Sequence, residues 1–305
     1  MRRRFHTLDV FTETKLAGNP LAVVMDCEGL DDEAMLAITR EFNLSETVFV
    51  FPPVDPVNSA AIRIFTPRGE LPFAGHPTVG TGVLLATLEA PDMMSAAGGI
   101  VVALEEKIGL VRVEVSGRRG RAARGVFTVP KLSERIDWSP DLALVARAAG
   151  IDPLDIGFRA HAPSVWSAGV AFVMMPLRGL DAIAKVHIAD HEAWNAAFGK
   201  AVRGAVYFYT CETVDPGHHV HARMIRPNPG GAEDPATGSA AAAFAGPAVA
   251  FERPESGWHQ LVIEQGYEMG RPSEIVLDIE VSGACLTDAR IGGAAVIVSQ
   301  GTFEL

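Results

Sequence analysis

The sequence predicts an α+β protein made of two similar halves, in each of which a sheet wraps around a helix. Short runs rich in β-branched and aromatic residues alternate with a few helical segments. An internal repeat is also present: residues 76–82 and 234–240 both carry a polar residue, a proline, small residues, a glycine and a hydroxyl, at an offset of 158 residues. Residues 47–51 match 205–209 at the same offset, and residues 63–67 match 223–227 at 160. Duplication of one unit explains these matches.

The first half contains two predicted helices. Residues 31–42 have acidic residues in the first turn, Arg40 near the end and Asn43 as a stop signal. Residues 77–89 form an apolar helix. The predicted strands cover residues 8–11, 21–25, 46–51, 61–65, 99–104, 109–115 and 125–129. A polar stretch at 131–140 resembles a linker, so we expect the halves to join near residues 120–140.

The second half repeats much of this order. We predict helices over 189–201 and 235–245. The predicted strands cover residues 170–174, 206–209, 221–225, 261–264, 275–281, 286–291 and 294–298.

Composition and charge exclude several classes of protein. Of 305 residues 48% are hydrophobic, which excludes intrinsic disorder, and the net charge of −11 disfavours nucleic-acid binding. No stretch has the roughly 20 apolar residues of a membrane span, and the basic start lacks the apolar core of a signal peptide. Cys27, Cys211 and Cys285 show no metal-type spacing. We therefore expect a cytoplasmic protein without membrane or nucleic-acid partners.

Two helix N-termini are candidate anion sites. In each half a polar residue and a proline precede a small-residue helix, whose first N–H groups and dipole favour an anion. Gly80 and Gly238 would let a ligand approach the backbone, and Thr81 and Ser239 would add hydroxyl donors. If both ends face one cleft, they would bind a small carboxylate or a developing enolate. The alternative is structural, with Asp234 as a helix cap and the glycines serving close packing.

Three titratable residues accompany these helix ends. Glu46 precedes an apolar run, so burial there would raise its pKa toward the range of a general acid/base. His76 and Asp234 stand at matching places in the two halves. The alternative makes Glu46 a half-exposed residue at a strand start.

His218, His219 and His221 suggest a metal site, but alternation along a strand would separate their side chains. We therefore expect no metal site.

The chain resembles the PhzF family, phenazine-biosynthesis isomerase-like proteins with the diaminopimelate-epimerase fold. The resemblance covers essentially the whole chain. It is carried by residues 9–11, 18–20, 43–47, 65–67, 75–78, 233–240, 265–273 and 292–294.

The resemblance implies two pseudo-symmetric domains, each a β-barrel-like sheet around a central helix, with the active site in the cleft between them. The first would comprise residues 1–125 and the returning strand 289–305, and the second residues 126–288. It implies a homodimer that isomerises dihydro-3-hydroxyanthranilate without a cofactor. The helix ends carry no cysteine, which argues against a two-thiol racemase.

The resemblance also assigns roles to residues. Glu46 is expected to be the proton shuttle, aided by His76 and Asp234, and the helix ends are expected to bind the carboxylate of a small substrate. The expected substrate-binding residues are Gly75, Thr78, Gly80, Thr81, Thr237, Gly238 and Ser239. The alternatives are an isomerase or epimerase for another small acid and a non-catalytic small-molecule binding protein.

Overall fold

The computed structural model describes residues 2–95, 98–117, 121–199, 202, 204–227 and 233–304. The chain divides into two compact units: unit 1 comprises Met1–Thr128 and Gly292–Leu305, and unit 2 comprises Val129–Ile291. No helix in the described ranges is long and apolar enough to span a membrane.

Unit 1 is a closed barrel with two helices. The helices are α1 Asp32–Phe42 and α2 Gly75–Glu89, and the strands are β1 Arg2–Val10, β2 Asn19–Val24, β3 Thr47–Phe51, β4 Ala60–Thr66, β5 Gly69–Leu71, β6 Ile100–Glu106, β7 Gly109–Ser116, β8 Ala123–Thr128 and β17 Cys285–Glu304, which enters unit 1 at Gly292. Pairings run from β1 through β2, β3, β4, β6, β7 and β8 to β17, which pairs back with β1. The β2–β3 and β4–β6 pairs are parallel.

Unit 2 repeats this order of pairings. The strands are β9 Glu134–Ile136, β10 Ser164–Ser167, β11 Ala171–Pro176, β12 Val206–Thr210, β13 Val220–Ile225, β14 Glu233–Asp234, β15 Gly257–Gln265 and β16 Ser273–Ser282. The sheet runs β10–β11–β12–β13–β15–β16, with β9 paired to β10, and its β11–β12 and β13–β15 pairs are again parallel. The helices are α3 Leu142–Ala149, α4 Leu180–Ile183, α5 His191–Trp194 and α6 Gly238–Glu252. The two units therefore share one topology, which is the repeated order that the internal sequence repeat predicts.

A buried helix occupies the middle of each sheet. In α2 every residue from Gly75 to Ala86 is buried, so the helix must pack against strands on all sides. A Cβ at Gly80 would lie 2.6 Å from Leu21 Cδ2, and one at Gly82 would lie 2.9 Å from Val113 Cβ. These distances are too short for real contacts, because interiors are already close-packed. Glycine is therefore required for α2 to fit against the barrel wall.

The central helix of unit 2 continues through an internal proline. Pro247 cannot donate the hydrogen bond that would satisfy the carbonyl of Ala243. Ser133 Oγ donates to that oxygen instead, at 2.6 Å. Because the freed carbonyl is satisfied, the helix extends to Glu252, beyond the end predicted at residue 245.

The structure corrects the predicted starts of both central helices. Pro77 is the third residue of α2, and Pro235 lies before α6, so neither is the first helical residue. Asp234 pairs with Met224 in a short strand, and the Pro235 carbonyl accepts from Ser273 Oγ at 3.0 Å. These bonds hold residues 234–235 outside the helix.

Other predicted elements differ at their ends. Helix α1 is confirmed: Asp31 accepts from the Ala34 N–H at 2.8 Å, and Asn43 ends the helix in a left-handed conformation. The two last predicted strands form one strand, β17, and the expected linker contains β9. The helix predicted over 189–201 is α5 followed by a π turn at Asn195–Gly199, and its residues 200 and 201 lie outside the described residues.

Candidate active site

Glu46 lies at the entrance to β3. The left-handed backbone of Asn43 (φ 52°) ends α1 and turns the chain toward the strand. Thr47, the next residue after Glu46, is fully buried, whereas the Glu46 side chain stays 18% exposed. The carboxylate is therefore largely desolvated but still reachable, a placement that suits proton exchange with a ligand.

The N-terminus of α2 begins beside this carboxylate. Its first helical hydrogen bond joins the Thr78 N–H to the Ala74 carbonyl. The N–H groups before Thr78 have no partner within the helix. They belong to Gly75 and His76, because Pro77 has none. The two N–H groups and the helix dipole make this end a suitable site for an anion.

His76, the second residue of α2, places its side chain close to the Glu46 carboxylate. Its Nε2 lies 3.6 Å from Glu46 Oε2, which is longer than a hydrogen bond. Burial lowers the pKa of His76 to about 3. The ring is therefore neutral at pH 7, and the contact with Glu46 is not an ion pair at that pH.

Glu106, at the end of β6, is a buried acid that the sequence analysis missed. Its Oε1 lies 2.7 Å from Thr78 Oγ1, and burial raises its pKa to about 8. Thr78 Oγ1 also lies 2.8 Å from the Ala74 carbonyl oxygen. A hydroxyl has one proton, so if Thr78 donates to Ala74, Glu106 must donate to Thr78. A protonated Glu106 therefore supports the N-terminus of α2.

One signal in the sequence could have identified Glu106. Residues alternate in burial along β6, and Glu106 falls on the same face as the buried Val102 and Leu104. A glutamate on the buried face of a strand requires a partner or a proton.

Two further predicted residues of α2 face the protein interior. The space beside Gly80 is filled by Val10 and Leu21, which favours the packing role over ligand approach. Thr81 is fully buried, and its Oγ1 has no hydrogen-bond partner among the described residues.

The N-terminus of α6 carries the predicted residues of unit 2. Thr237 Oγ1 donates to Asp234 Oδ2 at 2.6 Å. Gln265 Oε1 accepts from the Thr237 N–H at 3.2 Å, and Gln265 Nε2 donates to the Asp234 carbonyl at 2.8 Å. Gly238 and Ser239 are the first helical residues, so their N–H groups lack helical partners. Gln265 is buried and is the last residue of β15, just as buried Glu106 is the last residue of β6. A polar side chain at the end of the corresponding strand therefore contacts the start of each central helix.

Tyr207 is a second buried residue near this helix start that sequence analysis missed. It is fully buried on β12, and its hydroxyl has no hydrogen-bond partner among the described residues. Burial and the charge of Asp234 raise its pKa, so the phenol stays neutral and can donate a hydrogen bond.

The structure thus brings Glu46 and His76 together in unit 1, and Asp234 and Thr237 together in unit 2. The cleft expected to join the two helix ends stays a prediction.

The histidine-rich segment forms a hydrogen-bonded network. His218 Nδ1 and His221 Nδ1 each lie 2.7 Å from buried Glu264. Burial opposes the ionisation of Glu264, but bonds from His221, Val214 and His218 outweigh it and lower its pKa to about 2. The expected separation of these histidines is wrong for His218 and His221, because β13 begins only at Val220 and His218 lies in the preceding turn.

Comparison with known proteins shows which family the chain belongs to. The family model of phenazine biosynthesis-like proteins, PhzC-PhzF, matches residues 8–301. The chain belongs to this family. Trans-2,3-dihydro-3-hydroxyanthranilate isomerase of Pseudomonas aeruginosa is 32% identical over 304 residues and 99% of both chains. An uncharacterized isomerase of Mesorhizobium japonicum is 48% identical over 302 residues and 98% of both chains.

A solved structure shows the same fold. The PhzF-family phenazine biosynthesis protein of Bacillus anthracis matches with a TM-score of 0.87 at 23% identity, over 100% of both chains. The predicted family and the α+β fold of two diaminopimelate-epimerase-like domains are confirmed, and this PhzC-PhzF protein is an isomerase acting on a small molecule.

Proposed function

We propose that this protein is a cofactor-independent isomerase that moves a proton on a small carboxylate-bearing substrate, with Glu46 as the general acid/base. The observation that carries the proposal is the contact of 3.6 Å between Glu46 and buried His76 at the start of α2. A reachable carboxylate beside a helix N-terminus combines a proton acceptor with a binding site for negative charge.

The chemistry follows from these groups. The substrate carboxylate binds the N–H groups of Gly75 and His76, and Glu46 removes a proton from a carbon acidified by conjugation. The helix dipole stabilises the negative charge that develops. Protonated Glu46, which is partly exposed and exchanges its proton with solvent, then delivers a proton to a different carbon, so no net proton is consumed. Neutral His76 orients the substrate, and Asp234 takes the corresponding role from unit 2.

The named relatives supply the first substrate to test. Trans-2,3-dihydro-3-hydroxyanthranilate is the substrate in the name of the Pseudomonas aeruginosa relative, and it carries both a carboxylate and a conjugated ring. We propose it for this protein, ahead of other small unsaturated or amino acids.

The test is proton NMR in D₂O with this compound, for the wild type and E46Q. We expect isomerisation with deuterium uptake, and a loss of about 10²–10⁴-fold in rate in E46Q, because general acid/base catalysis contributes that much. E41Q is the matched control, since Glu41 is an exposed carboxylate nearby on α1.

The outcomes separate the alternatives. A wild-type rate in E46Q would contradict the role of Glu46. Turnover of only another small acid, lost in E46Q, would keep the chemistry and replace the substrate. Tight binding of small acids without any proton exchange would show a binding protein.

The homodimer and the cytoplasmic location are also proposals. They are supported by the family and by the free state of Cys27, Cys211 and Cys285. Light scattering during gel filtration and cell fractionation would check them.

A further inference from the structure

Unit 2 brings together a histidine, a cysteine and a glutamate from three separate segments. His161 precedes β10, Cys211 directly follows β12, and Glu252 is the last residue of α6. The imidazole, thiol and carboxylate offer one ligand atom each, and these atoms all lie within 4.8 Å of one another. Imidazole, thiolate and carboxylate are the usual ligands of zinc in proteins.

The surroundings of His161 hold its ring in one orientation. The side chain is 1% exposed, and it stacks on Phe158 with ring centroids 4.5 Å apart. Nδ1 lies 2.9 Å from the hydroxyl of buried Tyr209, which directs Nε2 to Glu252 Oε1 at 2.7 Å. Histidines that bind metals typically have such a partner on the other ring nitrogen.

The Tyr209 hydroxyl also lets His161 change tautomer. A phenol can donate or accept a hydrogen bond. Without a cation, Nε2–H donates to Glu252 and the Tyr209 hydroxyl donates to Nδ1. With a cation on Nε2, the ring proton moves to Nδ1 and is donated to Tyr209.

Cys211 supplies the proton that binding would release. A cysteine thiol ordinarily has a pKa of about 8.5, so it carries a proton at pH 7. Coordination of a divalent cation would convert thiol to thiolate and free one proton per ion. Arg159 Nη1 lies 3.7 Å from Glu252 Oε1, but its side chain is 71% exposed and can swing into solvent.

We propose that His161, Cys211 and Glu252 form a binding site for one zinc-class divalent cation, with water in the fourth position. The site lies at the C-terminal end of α6, roughly 20 Å from its N-terminus at about 1.5 Å per residue. The bound cation therefore links the C-terminal end of α6 to the end of β12 and to the loop before β10. It takes no part in the proton transfer proposed at the helix starts.

The probes are Co²⁺ and Zn²⁺, added to the tag-free, reduced, metal-free full-length protein. We expect one Co²⁺ per chain, with the near-ultraviolet charge-transfer band of a thiolate ligand, displaced by Zn²⁺. C211S should lose that band and weaken binding by more than about 100-fold, and Y209F should weaken it about 10–100-fold. Calorimetry in two buffers of different ionisation enthalpy should give one proton released per ion.

C285S and H259N are the matched controls, because exposed Cys285 and half-buried His259 both lie outside the cluster. Both should bind like the wild type. Circular dichroism of each metal-free variant checks its fold. Absence of saturable binding in the wild type, or unchanged binding in folded C211S, would overturn the site. None of these measurements involves turnover, so they test the metal site independently of the proposed isomerase activity.

Discussion

The titratable side chains at the start of α2 differ in how deeply they are buried. His76 and Glu106 are both more than nine-tenths buried, and burial favours the uncharged form of each. Glu46 has 18% of its side chain exposed. Two neutral groups and one partly exposed carboxylate therefore lie at the start of α2, which supports the role proposed for Glu46 in proton transfer.

At the residue scale, Glu106 should make stability depend on pH. Its folded pKa is about 8, above the ordinary 4.5. Between these values the folded chain keeps a proton that the unfolded chain has lost, so stability falls as pH rises. The slope is at most about 1.4 kcal/mol per pH unit. E106Q keeps a donor for Thr78 without titrating, so urea unfolding from pH 5 to 8 should show a smaller fall.

E114Q is the control for that experiment, because Glu114 is an exposed acid on the adjacent strand β7. It should retain the wild-type dependence on pH. Parallel curves for wild type and E106Q would show that Glu106 is ionised in the folded protein.

At the element scale, the duplication extends to loops. Val54 and Asp55 donate their N–H groups to Glu105, and Val214 and Asp215 donate theirs to Glu264. In each unit a carboxylate near the end of a strand thus holds a Val-Asp-Pro turn. The same turn, held by a carboxylate at the same place, occurs in both units, as duplication of one ancestral unit would produce.

Removal of the Ser133 hydroxyl should destabilise α6. In S133A the Ala243 carbonyl freed by Pro247 loses its donor inside the protein, which costs about 1–3 kcal/mol. P247A restores a backbone N–H in the helix, so S133A should cost much less in that background. A double-mutant cycle of unfolding free energies measures this coupling. Additive effects would show that Ser133 does not replace the missing donor, and S139A, at an exposed serine, should stay near the wild type.

Some elements could be predicted from the sequence and others could not. The ends of α1 were predictable because Asp31 and Asn43 act on their own local backbone. The start of α6 was not, because Ser273 and Met224, which are remote in sequence, hold Pro235 and Asp234 in an extended conformation before the helix. Glu46, His76 and Asp234 stood in recognisable motifs, whereas Glu106 and the His161 cluster became visible only once strands and helices were assembled.

At the scale of the whole molecule, β17 ties the C-terminus into unit 1. Residues 129–291 form unit 2, and the chain then returns to unit 1 at Gly292. From Val10↔Ala295 to Arg2↔Glu304, β17 pairs along the length of β1. It also pairs with β8, so this segment closes the barrel around α2.

Truncation after Gly293 should therefore loosen unit 1 more than unit 2. Without residues 294–305, β1 loses its partner on that side and becomes an open edge, and the barrel that positions Glu46 and His76 loses its closure. Hydrogen exchange with mass spectrometry should show faster exchange in β1 and α2 than in the full chain. Peptides of β15 and α6 in unit 2 should change less, because their strand pairs remain intact. Equal loss of protection in both units would instead mean that they unfold as one cooperative structure, so that the stability of each central helix depends on the entire chain.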